Sequence, residues 1–211
     1  MDKNFWGVAV WVLIHVCAIT YKPENKHSFK QFIYALRGVL PCGECREHLS
    51  ENLKMLELKP EYLSNHKKLF LWTFLLHDLV NRQLNKHSPS YEIIEQYYIK
   101  NAFNKKFWGP YIWRALHSMA AVYKPEYKTY FKQLVYSLPG ILPCDECKHH
   151  LIENLKILPL TDDYLSDNNH LFLWTFLLHD LVNKQLAKES PSFEKIKSLY
   201  FNEKNCASCG K

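Results

Sequence analysis

Glycine is scarce in this chain, six in 211 residues, and no glycine-rich turn separates one segment from the next. No segment alternates apolar and polar residues with the period of two that a half-buried strand requires. These two absences exclude a fold built on hairpins and leave an all-α chain. Nor is there a clean apolar stretch of about 18 residues, so no transmembrane helix is expected. Runs of like charge are missing too. The formal net charge of +6 divides evenly, +3 in residues 1–103 and +3 in residues 104–211, without a basic tail or cluster. That balance points to no nucleic-acid partner and suits a small anionic ligand.

What the chain does have is a second copy of itself. Residues 5–103 align with 107–205 at a fixed offset of 102 without a gap, and roughly 55% of positions are identical. Trp6-Gly7 with Trp11 and His15 recurs as Trp108-Gly109 with Trp113 and His117. Leu40-Pro41-Cys42-x-Glu44-Cys45 recurs as Leu142-Pro143-Cys144-x-Glu146-Cys147. The run from Leu69 to Asn81, containing Trp72 and His77, recurs unbroken from Leu171 to Asn183, containing Trp174 and His179. Lys86-x-Ser88-Pro89-Ser90 recurs as Lys188-x-Ser190-Pro191-Ser192. Shared apolar positions need only a shared core; repeated cysteines, histidines and lysines at fixed spacing imply shared chemistry.

The apolar start, Phe5 to Ile19, resembles a signal peptide until its counterpart, Phe107 to Val122, is found in mid-chain. It is therefore read as the first helix of a folded unit, and a cytoplasmic protein without a leader is expected. Each unit reads as five helices: 5–20 stopped near Pro23, 27–40, 42–56, 66–84 and 90–101. The fourth is apolar around most of its circumference and is expected to be central. The linker, 101–106, is too short to let the units drift apart. Tethering raises their mutual concentration to roughly millimolar, so a monomer with an internal pseudo-dimer is expected. The expected division is unit one, 1–103, unit two, 104–201, and a tail, 202–211.

Cys42-x-x-Cys45 and Cys144-x-x-Cys147 each follow a proline and open a helix. There the free backbone N–H groups and the positive end of the helix dipole stabilise a thiolate, as dithiol exchange requires. The competing reading is a non-catalytic binding or assembly module whose CxxC pairs form structural disulfides or hold zinc with His48 or His149-His150. Trp11 and His15 share a helical face, as do His77 and Asn81, and so do Trp113 with His117 and His179 with Asn183. Such faces suit the walls of a pocket for a large planar ligand, with Lys86 and Lys188 at its anionic end. Cys206-x-x-Cys209 lies in a tail with little core to pack into, whereas Cys17 aligns with Met119 and reads as a buried apolar residue.

Trp-Gly-Pro-x-x-Trp-x-x-Leu-His at 108–117, Pro-Cys-x-x-Cys-x-His-His at 143–150 and His-x-x-Val-Asn-x-x-Leu-x-Lys at 179–188 together resemble the Erv/ALR family of FAD-dependent sulfhydryl oxidases, above all its viral branch. If viral, the chain would work in the host cytoplasm or the virion. The resemblance spans both units and implies two tandem four- or five-helix bundles, each with FAD at its mouth. It implies that Cys45 and Cys147 face the flavin while Cys42 and Cys144 exchange with protein dithiols, O2 being the final acceptor. It further implies that the tail pair, Cys206 and Cys209, shuttles electrons inward. The FAD-lining set would be Trp6, Gly7, Trp11, His15, Trp72, His77, Asn81 and Lys86, with Trp108, Gly109, Trp113, His117, Trp174, His179, Asn183 and Lys188. Tyr98 and Tyr200 are candidates for packing on the adenine. The sequence departs from the family in two places: Asp78 and Asp180 replace an asparagine, and unit one has Val8, Val12 and Ile14 where unit two keeps Pro110, Arg114 and Leu116.

Overall fold

A computed structural model describes residues 1–201, and among these no strand occurs. The first repeat comprises α1 (Lys3–Ile19), α2 (Lys26–Val39), α3 (Gly43–Met55), α4 (His66–Gln83) and α5 (Tyr91–Asn101). The second comprises α6 (Lys105–Ala121), α7 (Lys128–Ile141), α8 (Asp145–Ile157), α9 (Asn168–Gln185) and α10 (Phe193–Tyr200). Local chemistry sets the ends. Asp2 and Asn65 accept N–H bonds from Asn4 and Lys68, capping α1 and α4, while Pro23 and Pro125 open short 3₁₀ turns that stop α1 and α6. Only residues 102–104 separate α5 from α6, and Ala102 is buried.

Within each repeat the first helix packs on the fourth, and the second packs on the third. The most extensive packing joins the repeats to each other, α2 against α7 and α1 against α6. A Cβ on Gly38 would overlap the ring of Tyr130, and one on Gly140 would overlap the side chain of Ser28. Positions 28 and 130, and 38 and 140, are repeat equivalents, so this contact has pseudo-two-fold symmetry.

The expectation of a central fourth helix is corrected. α4 buries one face (Leu69, Phe70, Trp72, Thr73 and Leu76) and exposes Leu71 and Leu75. The helix buried on most sides is α1, from Ala9 to Ile19 with only Trp11 half-buried, because it packs on α4 within its repeat and on α6 across the interface. An apolar circumference was readable from sequence, but not which neighbours would cover it. Cys17 lies in this interior, 1% exposed, and burial pushes its thiol pKa far up, as suits an inert apolar residue.

Candidate redox site

In each repeat the cysteines of the CxxC motif are joined, Cys42 to Cys45 and Cys144 to Cys147, with Cα atoms 5.1 Å apart. Proline holds the preceding turn extended, which leaves the first cysteine as the N-cap of its helix. The Cys45 N–H donates to Cys42 Sγ at 3.2 Å, and the Cys147 N–H donates to Cys144 Sγ at 3.2 Å. A thiolate formed at that sulfur meets both a fixed donor and the positive end of the helix. All four cysteines are partly exposed, as exchange by direct sulfur contact requires.

Lys3 pairs with Glu44 at 3.2 Å, and Lys105 pairs with Glu146, so the start of α1 or α6 is pinned beside the disulfide. One turn further along those helices lie Trp6 and Trp108, 6% and 5% exposed. Among the described residues neither indole N–H has an acceptor. An orphaned buried donor costs about 1–3 kcal/mol, and the same orphan in both repeats fits a bound group that accepts there. Adjacent Gly7 and Gly109 have no neighbour within 4 Å of where a Cβ would stand, so an open face of the helix adjoins each indole.

Deeper in, two helices meet through a chain of hydrogen bonds whose proton order can be read. The Thr73 hydroxyl donates to the Phe70 carbonyl at 2.8 Å, so its oxygen accepts from His15 Nδ1 at 3.1 Å. His15 is buried and held neutral far below the usual imidazole range, first by burial and then by the facing His77. Its Nε2 is therefore bare and accepts from His77 Nδ1 at 2.9 Å. Burial, with Lys86 adding to it and Asp78 opposing, lowers His77 to about 4; neutral at pH 7, it turns a bare Nε2 outward. The second repeat reproduces every link: Thr175 to Phe172 at 2.8 Å, His117 to Thr175 at 2.9 Å, and His117 to His179 at 3.1 Å. Burial lowers His117 to about 3 and His179 to about 4. Trp11 stacks on His77 at 3.9 Å and Trp113 stacks on His179 at 4.0 Å, fixing the outer ring.

The groove beside His77 is lined by Phe74, Asn81, Ser88, Pro89, Ile94 and Tyr98, with His15 and Asp78. Asn81 donates to Ser88 at 3.0 Å and Asn183 donates to Ser190 at 3.0 Å, tying the fourth helix of each repeat to the loop that carries Lys86 or Lys188. Those lysines are exposed and near enough to lower the pKa of their outer histidine, so they would meet an anion on the same side. Asp78 and Asp180 pair with Arg82 at 2.6 Å and Lys184 at 2.7 Å.

The remaining expected site residues within 1–201 are buried. Trp72 and Trp174 are wholly buried, each indole N–H donating to a carbonyl, Leu56 or Leu158. Tyr98 packs on His15 and Phe70, and Tyr200 packs on His117, Phe172 and the first repeat's Phe5. Burial pushes the Tyr200 hydroxyl up to about 12. Cys206 and Cys209 fall outside the described residues. Sequence reasoning missed Thr73 and Thr175, the lysines at 3 and 105, and the reciprocal amide pairs Asn52–Gln83 and Asn154–Gln185 at 2.8–3.0 Å. The threonines and amides are identical in both copies, which was the available signal. Among the described residues no three His, Cys, Asp or Glu side chains gather as a metal site would require.

The comparisons with known proteins agree with this geometry. The FAD-linked sulfhydryl oxidase of African swine fever virus (isolate Pig/Kenya/KEN-50/1950) is 37% identical over 97 residues, which is 44% of this chain and 79% of that protein. A probable FAD-linked sulfhydryl oxidase of Acanthamoeba polyphaga mimivirus is 32% identical over 118 residues, 54% of this chain and 81% of that protein. An FAD-linked sulfhydryl oxidase of Arabidopsis thaliana is 31% identical over 90 residues, 41% of this chain and 46% of that protein. No solved structure gives a significant match. The Erv1 / Alr family matches twice, over residues 8–103 and 110–201, and the chain belongs to that family in both of its repeats.

Proposed function

We propose that the chain is an FAD-linked sulfhydryl oxidase with two redox units, 1–103 and 104–201, and a shuttle tail, 202–211. The observation that carries this reading is the disulfide at a helix N-terminus in each repeat, next to an indole N–H that lacks an acceptor. FAD, when bound, supplies two-electron acceptance from a dithiol and its return to O2.

The protein's own groups do the rest. Cys42 and Cys144 take the exchange role: the N-cap N–H bond and helix dipole stabilise the thiolate that each becomes on reduction. Cys45 and Cys147 are the flavin-side sulfurs. Trp6, Gly7, Trp11, His77, Asn81 and Lys86, with Trp108, Gly109, Trp113, His179, Asn183 and Lys188, hold the cofactor. Within that set the bare Nε2 of His77 and His179 accepts only from a donor, and the lysines meet phosphate. His15 and His117 fix the proton order of the outer histidines. Cys206 and Cys209 carry electrons from protein dithiols to the CxxC pairs. The working form is a monomer, since α2–α7 and α1–α6 already supply the interface that single-unit relatives would have to find in a second chain.

The test is the purified protein's absorption spectrum, flavin-to-chain ratio and dithiol-dependent O2 uptake. A yellow protein carrying up to two FAD per chain and releasing H2O2 supports the reading. A colourless protein with stoichiometric zinc would overturn it in favour of an assembly module.

A further inference from the structure

The two disulfides share a geometry but not their neighbours. α3 is entered through Cys42-Gly43-Glu44-Cys45-Arg46 and α8 through Cys144-Asp145-Glu146-Cys147-Lys148. Glu44 and Glu146 are matched by Lys3 and Lys105, and His48 and His150 flank them alike, so these groups cancel between repeats. The residues beside them do not. Arg46 folds back over the start of its own helix, donating from Nη1 to the Leu40 carbonyl at 2.8 Å. Its Nη2 lies 3.6 Å from where a Cβ on Gly43 would stand. The opposite repeat holds it there: Nη2 donates to the Tyr127 hydroxyl at 3.4 Å, and the guanidinium carbon sits 4.7 Å from that ring's centroid. In the second repeat Lys148 bonds Asp145 at 2.9 Å instead, and the equivalent of Tyr127 is Asn25. Lys22 approaches Asp145 at 3.9 Å, with both side chains largely exposed.

We propose that Arg46, seated by Tyr127 across the interface, is a positioning residue for Cys42: it makes Cys42 the more acidic N-cap thiol and Cys42–Cys45 the more readily reduced disulfide. A fixed, half-buried cation held over the residues on either side of an N-cap cysteine, Leu40 and Gly43, adds to the helix's own stabilisation of the thiolate. The carboxylate directly after Cys144 opposes it, and the Lys148 ammonium is engaged in neutralising that carboxylate. Glu47, facing His149 in the alignment, is exposed and a full turn from the sulfur, so solvent and salt screen it.

Reduction of either pair passes two electrons and two protons from a substrate dithiol. A substrate thiolate attacks the Cys42 sulfur and Cys45 leaves as a thiolate. The second substrate thiolate then attacks the substrate sulfur of the mixed disulfide, closing the substrate's own disulfide, and Cys42 leaves as a thiolate. An acidic Cys42 favours that departure and the reduced product. The inference rests on reading the CxxC pairs as exchange centres, but its test needs no flavin turnover.

The full chain is reduced with a phosphine and pulse-alkylated with iodoacetamide between pH 5 and 9, and each cysteine is followed by peptide mass. Cys42 should titrate about half a pH unit or more below Cys144. Arg46→Met and Tyr127→Phe should each raise the Cys42 midpoint while Cys144 in the same molecules stays put, which controls for folding. Asp145→Gly should lower Cys144 towards Cys42. Equal midpoints, or a Cys42 midpoint that ignores Arg46→Met, would overturn the proposal. If neither disulfide exchanges with glutathione at all, the oxidase reading falls with it.

Discussion

The two repeats agree most where protons and sulfur are handled and differ most where they meet. The hydrogen bonds from threonine through inner to outer histidine match within 0.2 Å link by link, and the N-cap bonds to sulfur are equal at 3.2 Å. At the seam, by contrast, Tyr130 faces Gly38 where Ser28 faces Gly140, and Arg46 reaches Tyr127 where Lys148 turns back to Asp145. A geometry needed for chemistry tolerates little change in either copy. Contacts between the copies need only be complementary.

The largest expected effect breaks the comparison at sulfur. Cys45→Ala with Cys147→Ala should lower turnover of a small dithiol at least about 100-fold. Of the single changes, Cys147→Ala should cost more, because the second repeat keeps the family's Pro110, Arg114 and Leu116. Equal losses would show catalytically equivalent repeats.

A second prediction concerns acid. His77, His179 and His117 have folded pKa values of about 4, 4 and 3, below the ordinary 6.5. Between those values the unfolded chain binds more protons than the folded one, so stability is complete above about pH 6.5 and falls as pH drops towards 4. The slope per group is at most about 1.4 kcal/mol per pH unit. Urea melts of the full chain should show it. His77→Gln should flatten the slope as much as His179→Gln, since Gln keeps a donor for the inner histidine but does not titrate. Unequal flattening would mean that the two chains of hydrogen bonds are not equivalent.

The smallest effect lies where the fourth helix of each repeat ends. Asn85 and Ala187 stand at equivalent positions with φ of 53° and 51°. Asparagine occupies the left-handed region at less cost than alanine, so Ala187→Gly should stabilise by about 1 kcal/mol and Asn85→Gly by less. Thermal melts showing equal gains would remove this difference between the copies.

The helices were legible to within a few residues, because each was written twice and caps such as Asp2, Pro23 and Pro41 punctuate both copies. The CxxC placement and the outer histidines were legible for the same reason. The partners of those histidines were not. His15 meets Thr73 across 58 residues and Asn52 meets Gln83 across 31, and no spacing rule connects such pairs before the helices are packed. The burial of α1 was hidden likewise: half of what covers it belongs to the other repeat.

When identical subunits pair around an axis, every substitution at the contact is made twice, and both sides must accept it. Joining the copies in one chain releases that constraint, and the Gly38–Tyr130 and Gly140–Ser28 contacts record the release. Each has settled on its own size, a ring in one and a hydroxymethyl in the other. A first repeat paired with itself would set serine against Gly38 on both sides and leave the ring's volume empty twice. A second repeat paired with itself would force tyrosine onto Gly140 twice. The two contacts stand at equivalent positions of the seam, yet neither can take the other's side chain without a change in volume.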